Sequence, residues 1–572
     1  MKKISSFSKS FFFGNLLEDI VSPYPHFSKD EKENVDLLFE SLAKFGKEHI
    51  NSTQIDREAK IPEKVLTGMK ELGLFGLIIP QEYGGFGFSQ TAYCKTVENF
   101  VQIDNSCAIT IGAHQSIGLK ALLLFGTPEQ KQKYLPKLAT GEMIAAFSLT
   151  ESGAGSDAAG IQTKAEFSED KKYYILNGSK IWTTNGGIAS FFTIFAKTMC
   201  ADGVERVSAF IVTRDMPGFS TGKEEGKLGI KGSSTTSVTL TNCKVPAENV
   251  LNQVGYGFKT AMEVLNSGRL GLSSGCLGVQ KKLIQLCVQY AQERKQFGKS
   301  ISQFGLIQKK IAQMMREAYA TESLVYMTTG LVDRGNIDYS LESAICKVFA
   351  SESLWRTVNE ALQICAGNGY MKDYPYEQLL RDCRINMIFE GTNEILRMFI
   401  ALSGIQGPGE RLKEIGRALK DPIKSVGLLS GFAVKKIRKS LAIDRFKSID
   451  PGFKDITSFL EEYIMDFSSR VETALARHGK SIIDKQFALE RLSQMAMELY
   501  MLTCVIMRAT DAIKREGKDK SKAHILISKA IGYRCLDHIR ALLKQSDSND
   551  DESIKQIAAY AYAQKGYDLD AV

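Results

Sequence analysis

Residues 147–157 read Phe-Ser-Leu-Thr-Glu-Ser-Gly-Ala-Gly-Ser-Asp, FSLTESGAGSD. A short β-type run passes directly into a turn in which Gly153 and Gly155 carry no side chain, so a flat ligand could lie close to the backbone. Taken alone, the loop also reads as a plain β-turn. It is not the dinucleotide fingerprint of a doubly wound fold, because G-x-G-x-x-G is absent and strands rather than a helix follow. The stretch therefore places the strands around it in an antiparallel β domain.

Working outward, the runs IAAFSLT, YYILNG, FFTIFAKT, VSAFIVT and TSVTLTNCKV alternate with Gly, Asn, Asp and Ser, and define a β domain over residues 143–256. Residues 28–142 before it are helical in pattern. IPEKVLTGMKELGLFGLIIP carries apolar residues near i, i+4 and i+7, and TPEQKQKYLPKLATGE opens on a threonine cap with proline at the first helical position. Helical periodicity returns over residues 257–404, where Leu283, Cys287 and Ala291 share a face and Arg294 lies just beyond. GIQGPGERL at 404–412 supplies a glycine and proline break, and residues 405–572 form a charge-rich helical extension. The fold class is thus α+β, mostly α: an N-terminal segment (1–27), a helical domain, a central antiparallel β domain, a helical bundle and a helical C-terminal extension.

At 572 residues the chain is long enough for several domains, and 44% hydrophobic with 24% charged residues excludes wholesale disorder. No run approaches the roughly 20 apolar residues of a spanning helix. The start MKKISSFSKSFFFGNLLEDI is too brief in its apolar patch, Phe11 to Phe13, for a secretory signal, and its early Glu18 and Asp19 differ from an arginine-rich presequence. The expected location is the bacterial cytoplasm, peripheral to the inner membrane, with the mitochondrial matrix or inner membrane as the alternative. A net charge of +8 is too mild over this length to mark a nucleic-acid binder. Eleven cysteines without a C-x-x-C pair and six histidines without H-x-x-x-H spacing point to free thiols and no structural metal.

Two further stretches carry candidate chemistry. NGSKIWTTNGG, 177–187, sets Trp182, one of two tryptophans, beside Thr183 and Thr184. Trp182 is either core or a stacking face for an aromatic cofactor. MIFEGTNEIL, 387–396, sets Glu390 after three apolar residues and before Gly391. Glu390 either complements a helix dipole from solvent or is a desolvated base with a raised pKa.

FSLTESGAGSD, KIWTTNGG, ERKQFGK, QICAGNGY and RDCRINMIFEGTNEI occur in the order and at about the separations of the flavin-dependent acyl-CoA dehydrogenases, which the chain resembles over residues 28–402. The resemblance implies FAD as cofactor, with Glu390 removing the α-proton of an acyl thioester while a β-hydride passes to flavin N5. It implies oxyanion stabilisation by the Glu390 N–H and a ribityl hydroxyl. Phe147, Leu149, Thr150 and Ser156 then match flavin contacts, Ser156 also lying near CoA, and Trp182 and Thr184 match the pair beside the flavin ring. Arg294 resembles the arginine that reaches the FAD pyrophosphate across a subunit interface, and Phe304, Gln308, Gln363 and Gly367 match further FAD positions. Thr392 and Glu394 match contacts following the base. Asn266, Arg269 and Gly391 match substrate-site positions, Arg269 supporting the base.

Asn266 in place of an aspartate, FGLIQ in place of a histidine-containing segment, and the long tail are similar to the very-long-chain group and its relative that assembles respiratory complex I. The resemblance implies oxidation of long-chain acyl-CoA to trans-2-enoyl-CoA in fatty-acid β-oxidation, electron-transfer flavoprotein as acceptor, and a homodimer whose tail occupies the second interface. The rival readings are an acyl-CoA oxidase, an assembly scaffold that retains the site, and a flavin protein acting on DNA, the last disfavoured by the mild charge. In residues 424–446, Val426, Leu429, Ala433, Ile437 and Leu441 share one helical face and Lys424, Lys435, Arg438 and Lys439 the opposite one. That pattern fits either a membrane-surface helix or a helix docked on the protein's own core.

Overall fold

The computed structural model describes residues 6–420 and 444–571. The chain divides into two compact units, one built mainly from Tyr24–Leu396 and the other from Ser5–Pro23 with Arg397–Val572. The helical faces predicted for residues 424–446 fall largely within 421–443, outside the described residues.

The first unit begins with helices. α1 (Lys29–His49) starts where the Ser28 hydroxyl accepts from the Glu31 N–H, and buries Val35, Leu38 and Leu42. α2 (Gln90–Phe100) and α3 (Asn105–Gly112) follow, α3 widening into a π-helical turn over Ala113–Gly118. The stretch Asn105–Phe125 is apolar and long enough by composition to cross a membrane, which the reading of the sequence alone did not register. Its buried polar groups are nevertheless satisfied by protein. His114 Nε2 lies 3.1 Å from the carbonyls of Phe75 and Leu138, and its Nδ1 accepts from Ala145 N–H. α4 (Pro128–Ala139) opens on a full capping box between Thr127 and Gln130, as the threonine and proline predict. IPEKVLTGMKELGLFGLIIP is helical only over Glu63–Glu71, because Gly73 takes a φ of +70° just beyond it.

The middle of this unit is a sheet ordered β6-β7-β3-β2-β4-β5-β8, with β1 on β4. The strands are β1 (Ala145–Ser148), β2 (Lys164–Phe167), β3 (Tyr173–Thr184), β4 (Phe191–Met199), β5 (Glu205–Thr213), β6 (Phe219–Thr221), β7 (Thr235–Pro246) and β8 (Val250–Leu251). Most pairings are antiparallel, as expected. The exceptions are β1, which runs parallel to β4 from Ala145 opposite Phe191 to Ser148 opposite Ile194, and the Lys164–Lys197 bridge between β2 and β4. β1 enters from the helical region, so its direction is set by that entry rather than by a hairpin.

The bundle of the first unit comprises α5 (Gly257–Glu293), α6 (Gly305–Arg334), α7 (Ser340–Cys365) and α8 (Tyr376–Cys383). Leu283, Cys287 and Ala291 are buried on one face of α5, where the periodicity puts them. α5 approaches α2 so closely that a Cβ on Gly278 would sit 2.1 Å from the Glu98 carbonyl oxygen.

α9 (Asn393–Lys420) carries the chain into the second unit, followed by α10 (Lys454–His478), α11 (Gln486–Glu516), α12 (Lys522–Asp547) and α13 (Asp551–Gln564). The predicted break at GIQGPGERL does not occur, since α9 runs through Pro408. Gly404 and Gly407 serve packing instead: Cβ atoms there would lie 2.2 Å from the Phe12 ring and 2.5 Å from the Phe13 ring. The Phe11–Phe13 patch is thus part of this unit's interior, with the Phe12 ring 4.8 Å from that of Phe467. Gly278→Ala is expected to destabilise the protein by about 1–3 kcal/mol through overpacking of α5 on α2, read as a lower denaturation midpoint.

Candidate active site

A cavity of about 110 Å³ opens among α2, α3, α5 and the segment before α9. Its apolar wall includes Val97, Val101, Ile109, Leu272 and Val279, and Gly112, Gly271 and Gly275 leave further wall without side chains. Glu390 and Thr184 lie on the same wall. The Oε2 of Glu390 has no accessible surface and, among the described residues, no hydrogen-bond partner. The residue as a whole is only half-buried, because the cavity itself reaches it.

Glu390 is therefore not the solvated dipole partner that its sequence position also allowed. Burial pushes its carboxyl up from an ordinary 4.5 to about 7, against the opposing charges of Arg269 and Lys347. The backbone there is strained, with φ of +60° at Glu390 and +91° at Gly391. Arg269 Nε donates to the Glu390 carbonyl at 3.3 Å, and Lys347 Nζ to the Gly391 carbonyl at 2.7 Å. Asn266 Oδ1 accepts from Arg269 Nη1 at 2.9 Å, so Asn266, Arg269, Glu390 and Gly391 form one group. Burial lowers the Arg269 guanidinium to about 10, with Glu390 acting in the other direction. Gly268 is required by proximity, since a Cβ on it would meet Glu390 Oε2 at 2.8 Å.

The glycine turn after β1 is anchored by a pair that sequence reasoning missed. The Glu151 carboxylate accepts from Lys180 Nζ at 2.7 Å and from the Thr163 N–H and hydroxyl, and Lys180 also donates to the Leu149 carbonyl. Burial opposes the ionised form of Glu151, yet these bonds hold its carboxyl below the usual value. Phe147 is half-buried, its ring 4.9 Å from that of Phe195; Leu149 is buried, Thr150 is half-buried and Ser156 is exposed in the turn.

Trp182 is not a core residue: it is 65% exposed with a φ of +56°. It sits where the pairing of β3 with β7 shifts register between Lys180 and Thr183, a bulge that re-aims the side chain outward. A bulky residue in the left-handed region carries a strain of about 1–3 kcal/mol, and here it holds a wide indole face open beside Thr184.

Arg294, Phe304, Gln308, Gln363 and Gly367 form a second group. Arg294 caps the end of α5, Phe304 precedes α6, and Gln363 and Gly367 flank the end of α7. The two helix ends adjoin, as Tyr290 Oη donates to the Cys365 carbonyl at 3.4 Å. Arg294, Gln308, Gln363 and Gly367 are exposed. Along α5, Arg294 stands about 39 Å from Gly268 at 1.5 Å per residue. Within one chain Arg294 therefore stands far from Glu390, which packs against Gly268. Thr392 begins α9 by accepting from Ile395 N–H, and Glu394 is exposed in its first turn.

Comparison with known proteins agrees with this layout. Residues 32–142, 146–243 and 255–404 match the acyl-CoA dehydrogenase N-terminal, middle and C-terminal domains, and residues 451–567 match the ACAD9/ACADV C-terminal domain. The chain is 44% identical to the mitochondrial very long-chain specific acyl-CoA dehydrogenase of Bos taurus, over 98% of this chain and 88% of that one. An acyl-CoA dehydrogenase from Bacillus anthracis, solved in complex with FAD, superposes with a TM-score of 0.78 at 32% identity, over 94% and 91% of the two chains. A chain from the structure of the electron transferring flavoprotein of Acidaminococcus fermentans gives a TM-score of 0.63 at 38% identity, over 67% and 99%.

The Glu390 carboxyl favours its neutral form in the folded protein, so it contributes least cost below about pH 4.5 and lowers stability as pH rises from there through about 7. Glu390→Gln is accordingly expected to be more stable than the parent at pH 8, on the order of 2–3 kcal/mol, with the gap closing by pH 4.5. Denaturant titrations across that range measure it.

Proposed function

The chain belongs to the acyl-CoA dehydrogenase family, and on that premise we propose that it oxidises long-chain acyl-CoA to trans-2-enoyl-CoA with Glu390 as base. The observation that carries this reading is the Glu390 carboxyl on the wall of a largely apolar cavity, its Oε2 sealed from solvent and without a hydrogen-bond partner among the described residues. A base titrating near neutral pH is half ionised where it works and strong enough to take a weakly acidic α-proton. The apolar wall excludes water from that proton transfer. The Glu390 N–H is offered to the thioester carbonyl, stabilising the charge that develops when the proton leaves.

The residues present fit FAD. Trp182 and Thr184 offer a stacking face and a hydroxyl beside the cavity, and the glycine turn gives open backbone at Gly153 and Gly155. Bound FAD supplies the acceptor for the β-hydride. Phe147, Leu149, Thr150 and Ser156 would hold its near end. Arg294, with a fork suited to pyrophosphate, would serve with Phe304, Gln308, Gln363 and Gly367 from a second copy of the chain, since the length of α5 keeps Arg294 far from the first copy's Glu390. This makes a homodimer part of the proposal. Electron-transfer flavoprotein is the proposed acceptor of the electrons.

The cavity supports the chain-length assignment. Its lining on α5 runs from Gly268 to Val279, about 16 Å of helix, and stays apolar or side-chain-free along that length. Anaerobic titration with palmitoyl-CoA and octanoyl-CoA, following flavin absorbance near 450 nm, tests the reading. Bleaching by palmitoyl-CoA, weaker with octanoyl-CoA and lost in Glu390→Gln, is expected; no bleaching with either thioester would overturn it.

A further inference from the structure

Lys347 lies mid-helix in α7, forty-three positions before Glu390, and is completely buried. Its ammonium donates to the Gly391 carbonyl at 2.7 Å and to Asn393 Oδ1 at 2.8 Å. One helical turn on, Ser351 Oγ and Glu352 Oε1 accept from Asn393 Nδ2 at 3.1 and 3.2 Å, which fixes the amide with its oxygen toward Lys347. Arg269 holds the preceding carbonyl, that of Glu390. Two successive residues with positive φ thus have their carbonyls held by two buried cations from different helices.

We propose that Lys347 is a positioning residue for the base: its ammonium locks the Glu390–Gly391 turn and faces the Glu390 carboxylate with a fixed positive charge. The inference rests on Glu390 being the base. A buried lysine is costly unless it is bonded, and the carbonyl, the amide oxygen and the nearby carboxylate meet that cost here. The titratable and charged groups around the pair are Arg269 and Cys276 from α5, Tyr93 from α2, and Glu394 with Glu390 itself. Burial lifts the Cys276 thiol to about 12, so it stays neutral. Burial also lowers Lys347 to about 8, which leaves it mostly charged at pH 7. Its charge and that of Arg269 restrain the rise that burial imposes on Glu390. Without Lys347 the base would be protonated over more of the neutral range.

Infrared spectra of the full-length holoprotein across a pH titration, without substrate, read the carboxyl C=O band that Glu390→Gln removes. In Lys347→Gln the midpoint of that band is expected to rise by about one pH unit, while Lys347→Arg stays near the parent. The rate of dehydrogenation in Lys347→Gln should then fall about fivefold at pH 7 with KM little changed and recover by pH 9. Lys347→Met, which also lacks a donor for the Gly391 carbonyl, should stay slow at both. An unmoved infrared midpoint in Lys347→Gln would overturn the proposal, whereas unimpaired turnover by Glu390→Gln would overturn the base assignment instead. The isosteric Glu390→Gln protein gives a reading that does not depend on a lysine variant folding. Because coupling is reciprocal, the Lys347 titration seen with 13C-labelled lysine should move to lower pH in it, and no movement would count against the proposal.

Discussion

A carboxylate whose Oε2 has no partner among the described residues, set in an apolar wall, is the constraint around which the first unit is arranged. Ionised and buried, such a group costs several kcal/mol unless charges or donors stand near it. Here the compensation is indirect. Arg269 and Lys347 bond the backbone carbonyls of Glu390 and Gly391, in the two successive peptides that flank the Gly391 Cα, not the carboxylate. The carboxylate remains basic and available while the peptide that carries it is held rigidly. Direct pairing with either cation would give a more stable protein and a weaker base.

The same logic governs the glycines and strained residues nearby. Gly268 admits the carboxylate against α5, and Gly391 takes a φ of +91° that a side chain would resist. Trp182 accepts the left-handed region within a strand so that its indole faces outward beside Thr184. Local preference yields at each point to a surrounding structure that over-determines it. The Glu151–Lys180 pair below the glycine turn shows the opposite choice, a buried charge fully satisfied and serving as an anchor.

Much of this was legible in the order of residues and some was not. The succession of helices, strands and helices followed from periodicity, and the capping box at Thr127 from residue types three apart. The exposure of Trp182 was not legible, since a bulge between Lys180 and Thr183 depends on cross-strand register. Pro408 with the glycines around it looked like a break, but close aromatic neighbours account for Gly404 and Gly407 and a continuous helix carries them. Lys347 gave no signal because its partners lie more than forty positions away and its own helix is buried around it on every side, so no face marks it out. Arg294 was legible only through family likeness. In one chain it stands at the far end of a long helix, and the proposed site would need a second copy to include it.

The most direct test is the pH dependence of deuterium entry at the α-carbon of palmitoyl-CoA bound to the protein in heavy water under anaerobic conditions. That exchange reports proton abstraction separately from electron transfer. The account predicts exchange that rises with pH through a midpoint near 7 and is abolished in Glu390→Gln. Exchange that persists in Glu390→Gln, or that rises with the midpoint of an ordinary exposed carboxylate, would contradict it.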